Sequence, residues 1–305
     1  MALYDAIIVG AGPAGLTAGT YLGRFRRKVL ILDGGPSRAR WIPESHNTPG
    51  FPDGVGGDAL LSRMGEQAGL YDVERRLGRA ETLVRVAEGF ELSISGASPD
   101  STTVRGRFVL LATGVVDRLP DLDNIETAIR ASRVRVCPIC DAYEAIDQRI
   151  AVLGDGDLGA REAAFLTTYS PNVTLLHLGS SSSLTDSKSL QTHGVEVTPV
   201  DLSEISVGSS PVIVTPKDGD TRNFDCLYLA LGCETQNRLA VRWDADHDAE
   251  GNLLVNDHQE TSVDGLYAAG DVVKGLNQIA VAAAEAAIAA TDIHKRLRAL
   301  DTQRG

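Results

Sequence analysis

The sequence predicts an α/β protein with two Rossmann-like nucleotide-binding domains, each a three-layer ββα arrangement. Its 305 residues suit two domains of ordinary size. A glycine-rich turn joins an apolar strand to a helical segment at Gly10, and a second such turn follows 144 residues later at Gly154. The duplication of strand, turn, helix and strand indicates two similar halves rather than a short-period repeat.

Three patterns predict the order of helices and strands: apolar runs, breaks at glycine and proline, and alternating apolar positions such as Phe90, Leu92 and Ile94. The first half is predicted to contain a strand at 6–9, a helix to about 25, a strand at 29–32, a loop at 37–57, a helix at 58–70, a β-meander at 80–108 and a strand at 109–114. The second half is predicted to contain a strand at 150–153, a helix to about 168, strands at 173–176 and 226–230, and a long alanine-rich helix to about 297, followed by a frayed tail.

Composition excludes several classes of protein. Acidic residues number 41 against 29 basic ones, and a net charge of −12 argues against a nucleic-acid binder. Hydrophobic residues at 43% and charged residues at 23% argue against wholesale disorder. Four cysteines in a chain this long do not make a secreted disulfide scaffold. Since neither a targeting segment nor a membrane-spanning stretch is apparent, we expect a cytoplasmic protein that contacts no membrane.

The first glycine turn carries the stronger nucleotide signal. Gly10, Gly12 and Gly15 let the backbone approach a pyrophosphate at the start of a helix. Asp33 stands 18 residues after Gly15, where a ribose hydroxyl requires an acceptor. The alternative is a structural turn that binds no ligand.

The second glycine turn has unfavourable charges for the same ligand. Asp155 and Asp157 place negative charge where a pyrophosphate would sit, and the next strand ends in His177 rather than in an acid. The following residues, through Ser180–Ser183, include no arginine for a 2′-phosphate. Use of NADPH or NADH is therefore doubtful, and the alternative is a nucleotide-type domain kept as a scaffold.

Two cysteines at close spacing indicate redox chemistry. Cys137 and Cys140 can close a small reducible disulfide, and Asp141 can exchange a proton with a thiol. The alternatives are half of a zinc site or inert core cysteines. Cys226 and Cys233 are poorly spaced for a second zinc pair, so we expect core thiols there and no metal.

Three arginines precede the cysteine pair, at Arg130, Arg133 and Arg135. They either form a solvated face or lower the thiolate pKa and guide an acidic partner protein.

Together these motifs resemble the low-molecular-weight thioredoxin reductase family of FAD proteins over nearly the whole chain. The resemblance also rests on Asn47–Phe51 as a flavin-side loop, Ala112–Gly114 as a domain-junction motif and Ala269–Asp271 as a second FAD motif. It implies an FAD-binding domain of residues 1–116 and 245–305, with a central domain of residues 117–244 inserted into it. The residues it assigns to FAD are Gly10, Gly12, Pro13, Ala14, Gly15, Asp33, Gly34, Asn47, Ala112, Thr113, Gly114, Gly270, Asp271, Gln278 and Ile279.

The resemblance also implies roles within a homodimeric enzyme. Cys140 would face the flavin C4a, Cys137 would attack the partner disulfide, and Asp141 would be the acid/base. Asp271 would bind the ribityl or phosphate region, and Gln278 would bond the isoalloxazine edge. The family's arginine motif for NADPH is missing, which resembles branches that use ferredoxin or another flavin source, or that oxidise small dithiols with oxygen.

The leading hypothesis is an FAD-dependent thiol–disulfide oxidoreductase, in which electrons pass between FAD and Cys137–Cys140. Its partner would be a thioredoxin-like protein or a small dithiol or disulfide. Three alternatives stay open: a dithiol oxidase using oxygen, an FAD–NAD(P)H reductase without disulfide chemistry, and a flavin-binding scaffold whose cysteine pair binds metal.

Overall fold

The computed structural model describes residues 3–96, 102–179, 184–185, 187–208, 211–217 and 219–304. Its helices are α1 (Pro13–Arg24), α2 (Gly57–Gly69), α3 (Ile125–Arg130), α4 (Pro138–Asp141), α5 (Gly156–Leu166), α6 (Ser187–Thr192), α7 (Arg238–Val241) and α8 (Ile279–Arg304). Its strands are β1 (Leu3–Val9), β2 (Val29–Asp33), β3 (Glu74–Leu77), β4 (Arg79–Val86), β5 (Gly89–Ser95), β6 (Thr103–Leu111), β7 (Val115–Asp117), β8 (Val134–Arg135), β9 (Ile150–Gly154), β10 (Val173–Leu178), β11 (Glu196–Val200), β12 (Ile205–Ser206), β13 (Val212–Val214), β14 (Arg222–Phe224), β15 (Cys226–Ala230), β16 (Cys233–Thr235) and β17 (Leu266–Ala268).

The chain divides into two compact units. The first comprises Met1–Arg40, Gly56–Val116 and Thr235–Gly305, and the second comprises Trp41–Val55 and Asp117–Glu234. This division differs from the expected segments in two places. Trp41 packs against the core of the second unit, whereas the segment after Glu234 contributes core residues to the first unit, namely Leu239, Ala240 and Ala245.

The first unit is built on a sheet in the order β3-β2-β1-β6-β5-β4, with β17 also paired to β6. Strands β3, β2, β1, β6 and β17 are parallel, whereas β4, β5 and the first half of β6 form an antiparallel meander. One apolar core lies on the side of the meander. A second core lies between the sheet and helices α1 and α8, and it is lined by small residues such as Ala18 and Ala286.

Helix α8 corrects one expectation. The sequence predicts that this helix ends near Leu297, but α8 continues to Arg304. Arg27 donates hydrogen bonds to Nδ1 of His294 at 3.0 Å and to a carboxylate oxygen of Asp301 at 2.7 Å. Leu300 packs against the core on the helical side. These contacts hold the last turns of the helix, so the predicted frayed tail is wrong.

The second unit repeats the three-layer plan. Its parallel sheet has the order β11-β10-β9-β15-β8, and a three-stranded antiparallel sheet has the order β12-β13-β14. One core joins the two sheets, with Val212 and Phe224 facing Leu153 and Leu229. The other core joins the parallel sheet to α5 and the segment after α4. The predicted fold class, α/β with two Rossmann-like domains, is confirmed.

No helix in the part of the chain that the structure describes is long and apolar enough to cross a membrane.

Candidate active site

Four parallel strands of the first unit end at one edge of its sheet. Val9 is in register with Leu32 and Leu111, and Leu111 is in register with Ala268. The next residue of each strand or turn is therefore Gly10, Asp33, Ala112 or Ala269. The topology thus brings the first glycine turn, the acid after β2 and two further predicted motifs to a single edge, where α/β proteins bind nucleotides.

The first glycine turn is sterically closed to side chains. Gly10 has φ +116°, and a Cβ added there would lie 2.2 Å from the carbonyl oxygen of Ala112. A Cβ at Gly15 would lie 1.9 Å from the carbonyl oxygen of Gly10. Gly12 is the N-cap of α1 and Pro13 follows it. No side chain caps the start of the helix, and the backbone N–H groups of its first turn begin after Pro13, which is an arrangement that binds pyrophosphate.

Asp33 ends β2 and is buried, with 7% of its surface exposed. One carboxylate oxygen accepts a hydrogen bond from the backbone N–H of Gly35 at 3.2 Å. The other accepts from the guanidinium of Arg75, at 2.6 Å from Nη2. The acid expected to receive the ribose is thus held in place by a half-exposed arginine of β3.

The second predicted cofactor motif lies after β17. Gly270 has φ +80°, and a Cβ there would approach Ala14 of α1 at 3.1 Å and Ala282 of α8 at 3.4 Å. Its backbone N–H donates to a carboxylate oxygen of Glu285 at 2.7 Å. Arg38 donates to Asp271 at 3.1 Å. The motif is therefore tied to the starts of both helices.

The other predicted cofactor residues divide between the two units. Thr113 follows β6 and donates its hydroxyl hydrogen to the carbonyl of Gln236 at 2.6 Å. Gln278 directly precedes α8, and its carbonyl accepts from the N–H of Ala282. Asn47 belongs to the second unit, where its side-chain oxygen accepts from the Ser45 hydroxyl at 3.1 Å. The remaining predicted members, Gly34, Gly114 and Ile279, lie in the first unit.

Cys137 and Cys140 form a disulfide at the start of α4 in the second unit. Their Cα atoms are 5.3 Å apart, within the usual range for a bridge. Cys137 is the N-cap of the helix, Pro138 takes the first helical position, and the backbone N–H of Cys140 donates to the carbonyl of Cys137. The spacing therefore produces the small disulfide loop that the sequence indicated.

Asp141 ends α4, directly after Cys140. The hydroxyl of Tyr228 donates to Oδ1 of Asp141 at 2.9 Å, and Nη1 of Arg135 lies 3.7 Å from Oδ2. Burial raises the pKa of Asp141 to about 6, although Arg135 and the Tyr228 bond oppose this rise. A carboxyl with this pKa can both give and take a proton near neutrality.

Arg135 corrects one interpretation of the arginines before the cysteine pair. Its exposed fraction is only 9%, so it does not belong to a solvated face. Its Nη1 donates to the backbone carbonyl of Asp141 at 2.6 Å, and its Nε donates to that of Ser132 at 3.2 Å.

The second glycine turn lies between β9 and α5. Gly156 has φ +65° and donates its N–H to Nε2 of the fully buried His177 at 3.1 Å. The carboxylate of Asp157 accepts hydrogen bonds from the backbone N–H and the hydroxyl of Thr185. A negative side chain is thus fixed in the first turn of α5. The prediction that no arginine follows β10 falls partly on Ser180–Ser183, which lie outside the described residues.

The other two cysteines are not members of the disulfide. Cys226 lies on β15 and is fully buried, and burial raises the pKa of its thiol to about 11. Cys233 lies on β16 and is partly buried. Among the described residues, no group of three or more histidine, cysteine, aspartate or glutamate side chains could hold a metal ion.

Three residues of these sites were not singled out from the sequence. Glu285 carried a usable signal, since it is the one acid in the first turns of an alanine-rich helix. Tyr228 was embedded in the apolar strand Cys226–Ala230 and looked like core. Arg75 carried no signal, because only the pairing of β3 with β2 brings it beside Asp33.

Comparison with known proteins agrees with this geometry. The family described as pyridine nucleotide-disulphide oxidoreductase matches residues 4–286. Thioredoxin reductase of Mycolicibacterium smegmatis is 30% identical over 301 residues, covering 95% of this chain and 94% of that protein. Thioredoxin reductase of Streptomyces coelicolor is 31% identical over 320 residues, covering 98% and 95%. The crystal structure of thioredoxin reductase from Streptococcus pyogenes has a TM-score of 0.86 at 26% identity, covering 98% and 99%.

These similarities agree with a chain that has both a nucleotide-type sheet edge and a two-cysteine disulfide. The uncapped N-terminus of α1 and the glycine turn that excludes side chains fit the pyrophosphate of FAD, and the carboxylate of Asp33 fits a ribose. The chain belongs to the pyridine nucleotide-disulphide oxidoreductase family and is an FAD-dependent disulfide oxidoreductase of the thioredoxin reductase-like type.

Proposed function

We propose that this enzyme passes electrons between FAD and the Cys137–Cys140 pair, and from that pair to an external disulfide. A thioredoxin-like protein is the first-choice partner, and a small disulfide is the second. The observation that carries the proposal is the Cys137–Cys140 disulfide followed directly by Asp141, whose carboxyl has a pKa of about 6. A reducible bond and a proton donor therefore lie next to each other on helix α4.

The proposed cofactor residues lie in the first unit, except for Asn47. The backbone of Gly10–Gly15 would receive the pyrophosphate, Asp33 a ribose hydroxyl, and Asp271 the ribityl or phosphate region. Gln278 would bond the edge of the ring system. Bound FAD would supply two-electron transfer to or from a disulfide. In this proposal, residues 1–116 and 245–305 serve FAD, and residues 117–244 carry the redox pair.

The chain's own residues account for proton movement during thiol–disulfide exchange. In the direction from an external thiol to the pair, which is the reverse of the reductase reaction, an external thiolate attacks one sulfur of the bridge, a mixed disulfide forms, and the other sulfur leaves as a thiolate. Protonated Asp141 would give its proton to that thiolate, and its carboxylate would take a proton back when the bridge re-forms.

The charges at the second glycine turn bear on the electron donor. Asp157 fixes negative charge at the second glycine turn, and the sequence after His177 contains no arginine up to residue 183. Both features disfavour NADPH or NADH. Ferredoxin, another flavoprotein or a dithiol would then supply the electrons.

Exposed apolar side chains beside the disulfide favour a partner that brings its own apolar surface. Ile139, which lies between the two cysteines, is 51% exposed, and Tyr143, which follows Cys140 in the chain, is 72% exposed. Such side chains are typical of the centre of a transient protein interface.

We further propose a cytoplasmic homodimer that contacts neither nucleic acid nor a membrane.

An anaerobic titration tests the relay. Purified holoenzyme is titrated with NADPH, NADH and dithiothreitol while the flavin absorbance is followed. We expect bleaching by dithiothreitol, loss of that bleaching in Cys137→Ser and Cys140→Ser, and normal bleaching in the control Cys233→Ser. Bleaching that persists in both serine variants would overturn the relay. Stoichiometric bleaching by a nucleotide would instead assign the donor to the second glycine turn.

A second candidate, a dithiol oxidase, is favoured by the same charges at the second turn. Electrons would then flow from a substrate dithiol through the pair and FAD to oxygen. Rapid reoxidation of the dithiol-reduced enzyme in air, with stoichiometric peroxide, would favour it. Slow reoxidation would favour the reductase.

A further inference from the structure

Three elements of the second unit converge on Asp141. β8 and β15 are parallel neighbours in the sheet, and their register makes Arg135 and Tyr228 direct partners. Both side chains are buried, at 9% and 0% exposure. β8 also leads within two residues into Cys137, so the residues that fix α4 come from the strand that feeds it.

The contacts form one connected chain of polar atoms. Nη1 of Arg135 lies 3.4 Å from the hydroxyl oxygen of Tyr228 and donates to it. That hydroxyl donates to Oδ1 of Asp141 at 2.9 Å. The same Nη1 donates to the backbone carbonyl of Asp141, and the guanidinium carbon lies 5.8 Å from the centre of the Tyr228 ring. Both the backbone and the carboxylate of Asp141 are therefore held.

We propose that Tyr228 and Arg135 are positioning residues, which hold the Asp141 carboxylate and set the pH range over which it exchanges a proton with the Cys137–Cys140 pair. This inference rests on the proposed function, because it takes Asp141 to be the proton donor of the exchange. It goes beyond it in assigning to two buried residues of the sheet a role in the reaction.

The groups around Asp141 have opposing effects on its pKa, and this explains why both Arg135 and Tyr228 are needed. Burial is the largest influence and raises the pKa of Asp141, and the carboxylate of Glu144 raises it further. Arg135 and the Tyr228 hydroxyl lower it, because both interact with the ionised form. Cys226, on the same strand as Tyr228, has its thiol pKa raised to about 11 and stays neutral near pH 7. The two positioning residues thus offset burial and Glu144.

The proton transfer that accompanies opening of the bridge determines which rate should be measured. When an external dithiol opens the bridge, one protein sulfur bonds to the reagent and the other leaves with the electron pair of the broken S–S bond. Protonated Asp141 gives its proton to this thiolate and becomes a carboxylate. The rate of opening, corrected for the ionised fraction of the reagent, therefore falls as the pH rises through the pKa of Asp141.

The test is the rate at which dithiothreitol opens Cys137–Cys140 in the FAD-loaded enzyme between pH 5 and 9. Samples are quenched with a thiol-alkylating reagent and counted by mass spectrometry, so the readout does not depend on flavin turnover. The wild-type profile should bend near pH 6. In Tyr228→Phe the bend should move up by about one pH unit, because one hydrogen bond to the carboxylate is lost.

Three further variants complete the test. Arg135→Gln should also move the bend to higher pH, and Arg135→Lys should move it less, since the charge remains. Tyr169→Phe, which removes a tyrosine hydroxyl elsewhere in the same unit, should leave the profile unchanged. Flavin content and melting temperature show which variants are folded.

The possible results distinguish the positioning role of Tyr228 and Arg135 from the proposed role of Asp141 as proton donor. A bend that Asp141→Asn abolishes, but that neither Tyr228→Phe nor Arg135→Gln moves, would overturn the inference and leave the role of Asp141 intact. A profile that Asp141→Asn does not alter would overturn both.

Discussion

The two glycine turns of this protein occupy equivalent places in two similar units, and they differ in the side chains around them. An offset of 144 residues aligns Gly10 with Gly154, Gly15 with Gly159, and the first residues of β2 and β10. The same offset sets Asp33 against His177, Ala18 against Glu162 and Pro13 against Asp157. The first turn is followed by an acid at the end of β2 and has no acid at its helix start, whereas the second turn has acids on its helix. The two units share a backbone plan, and the charges around their glycine turns differ.

The largest difference should appear when alanine replaces the third glycine of each turn. Gly15→Ala places a Cβ 1.9 Å from a backbone oxygen, whereas Gly159→Ala places one 3.1 Å from the Gly154 Cα and the Leu175 side chain. We expect Gly15→Ala to cost more than about 3 kcal/mol and to abolish FAD binding, and Gly159→Ala to cost about 1 kcal/mol or less. Thermal unfolding and the FAD-to-protein ratio measure both. Equal losses would show that the two turns are equally tight.

The next comparison concerns Ala18 and Glu162, on α1 and α5. Burial raises the pKa of Glu162 to about 7, and one of its carboxylate oxygens is buried without a hydrogen-bond partner. A raised acid pKa means that stability is greatest below the ordinary value near 4.5 and is lost as the pH rises through 7. Glu162→Gln should leave stability unchanged at pH 4 and increase it by about 1–3 kcal/mol at pH 9.

Urea unfolding at the two pH values, with Glu66→Gln at an exposed position of α2 as the control, measures this effect. A gain of the same size at both values would mean that the charge of Glu162 is not its cause.

A third prediction concerns the end of the second strand. Asp33→Asn keeps the shape of the side chain but weakens both the acceptor for a ribose hydroxyl and the contact with Arg75. We expect FAD to leave the holoenzyme about ten-fold faster, which corresponds to about 1.4 kcal/mol. The rise of free-flavin fluorescence on dilution measures the release. Glu74→Gln on β3, at the opposite end of the pairing with β2, is the control, and an equal effect there would exclude a ribose role for Asp33.

The smallest effect should come from Asp157, the counterpart of Pro13. Asp157→Asn removes one negative charge from the first turn of α5 while keeping a hydrogen-bonding side chain for Thr185. Binding of NADPH should strengthen about five-fold, because one repulsion of about 1 kcal/mol is removed. Calorimetric titration of the holoenzyme measures this, with Asp147→Asn, before the opposite end of β9, as the control. Unchanged binding would place the obstacle elsewhere than in the charge of Asp157.

The glycine turns, the cysteine pair and most elements could be predicted because their signals are local in sequence. Gly10–Gly15 must follow a strand and begin a helix, and a pair spaced like Cys137 and Cys140 can bridge within a single turn. Long-range partners could not be predicted in this way. Tyr228 reaches Asp141 only because β15 pairs with β8, 93 residues away from Arg135. The end of α8 likewise depends on Arg27 of a distant loop.

The discontinuity of the first unit also governs the order in which the protein can fold during synthesis. Its strand β17 and helix α8 come from the last forty residues of the chain, yet they pair with β6 and pack on α1. The sheets of the second unit, by contrast, are complete once residue 230 has left the ribosome. The unit that begins first is therefore finished last, since domains fold as their segments emerge. The edge formed by Gly10, Asp33, Ala112 and Ala269 can therefore be completed only after residue 269 has been synthesised, which is later than the sheets of the second unit.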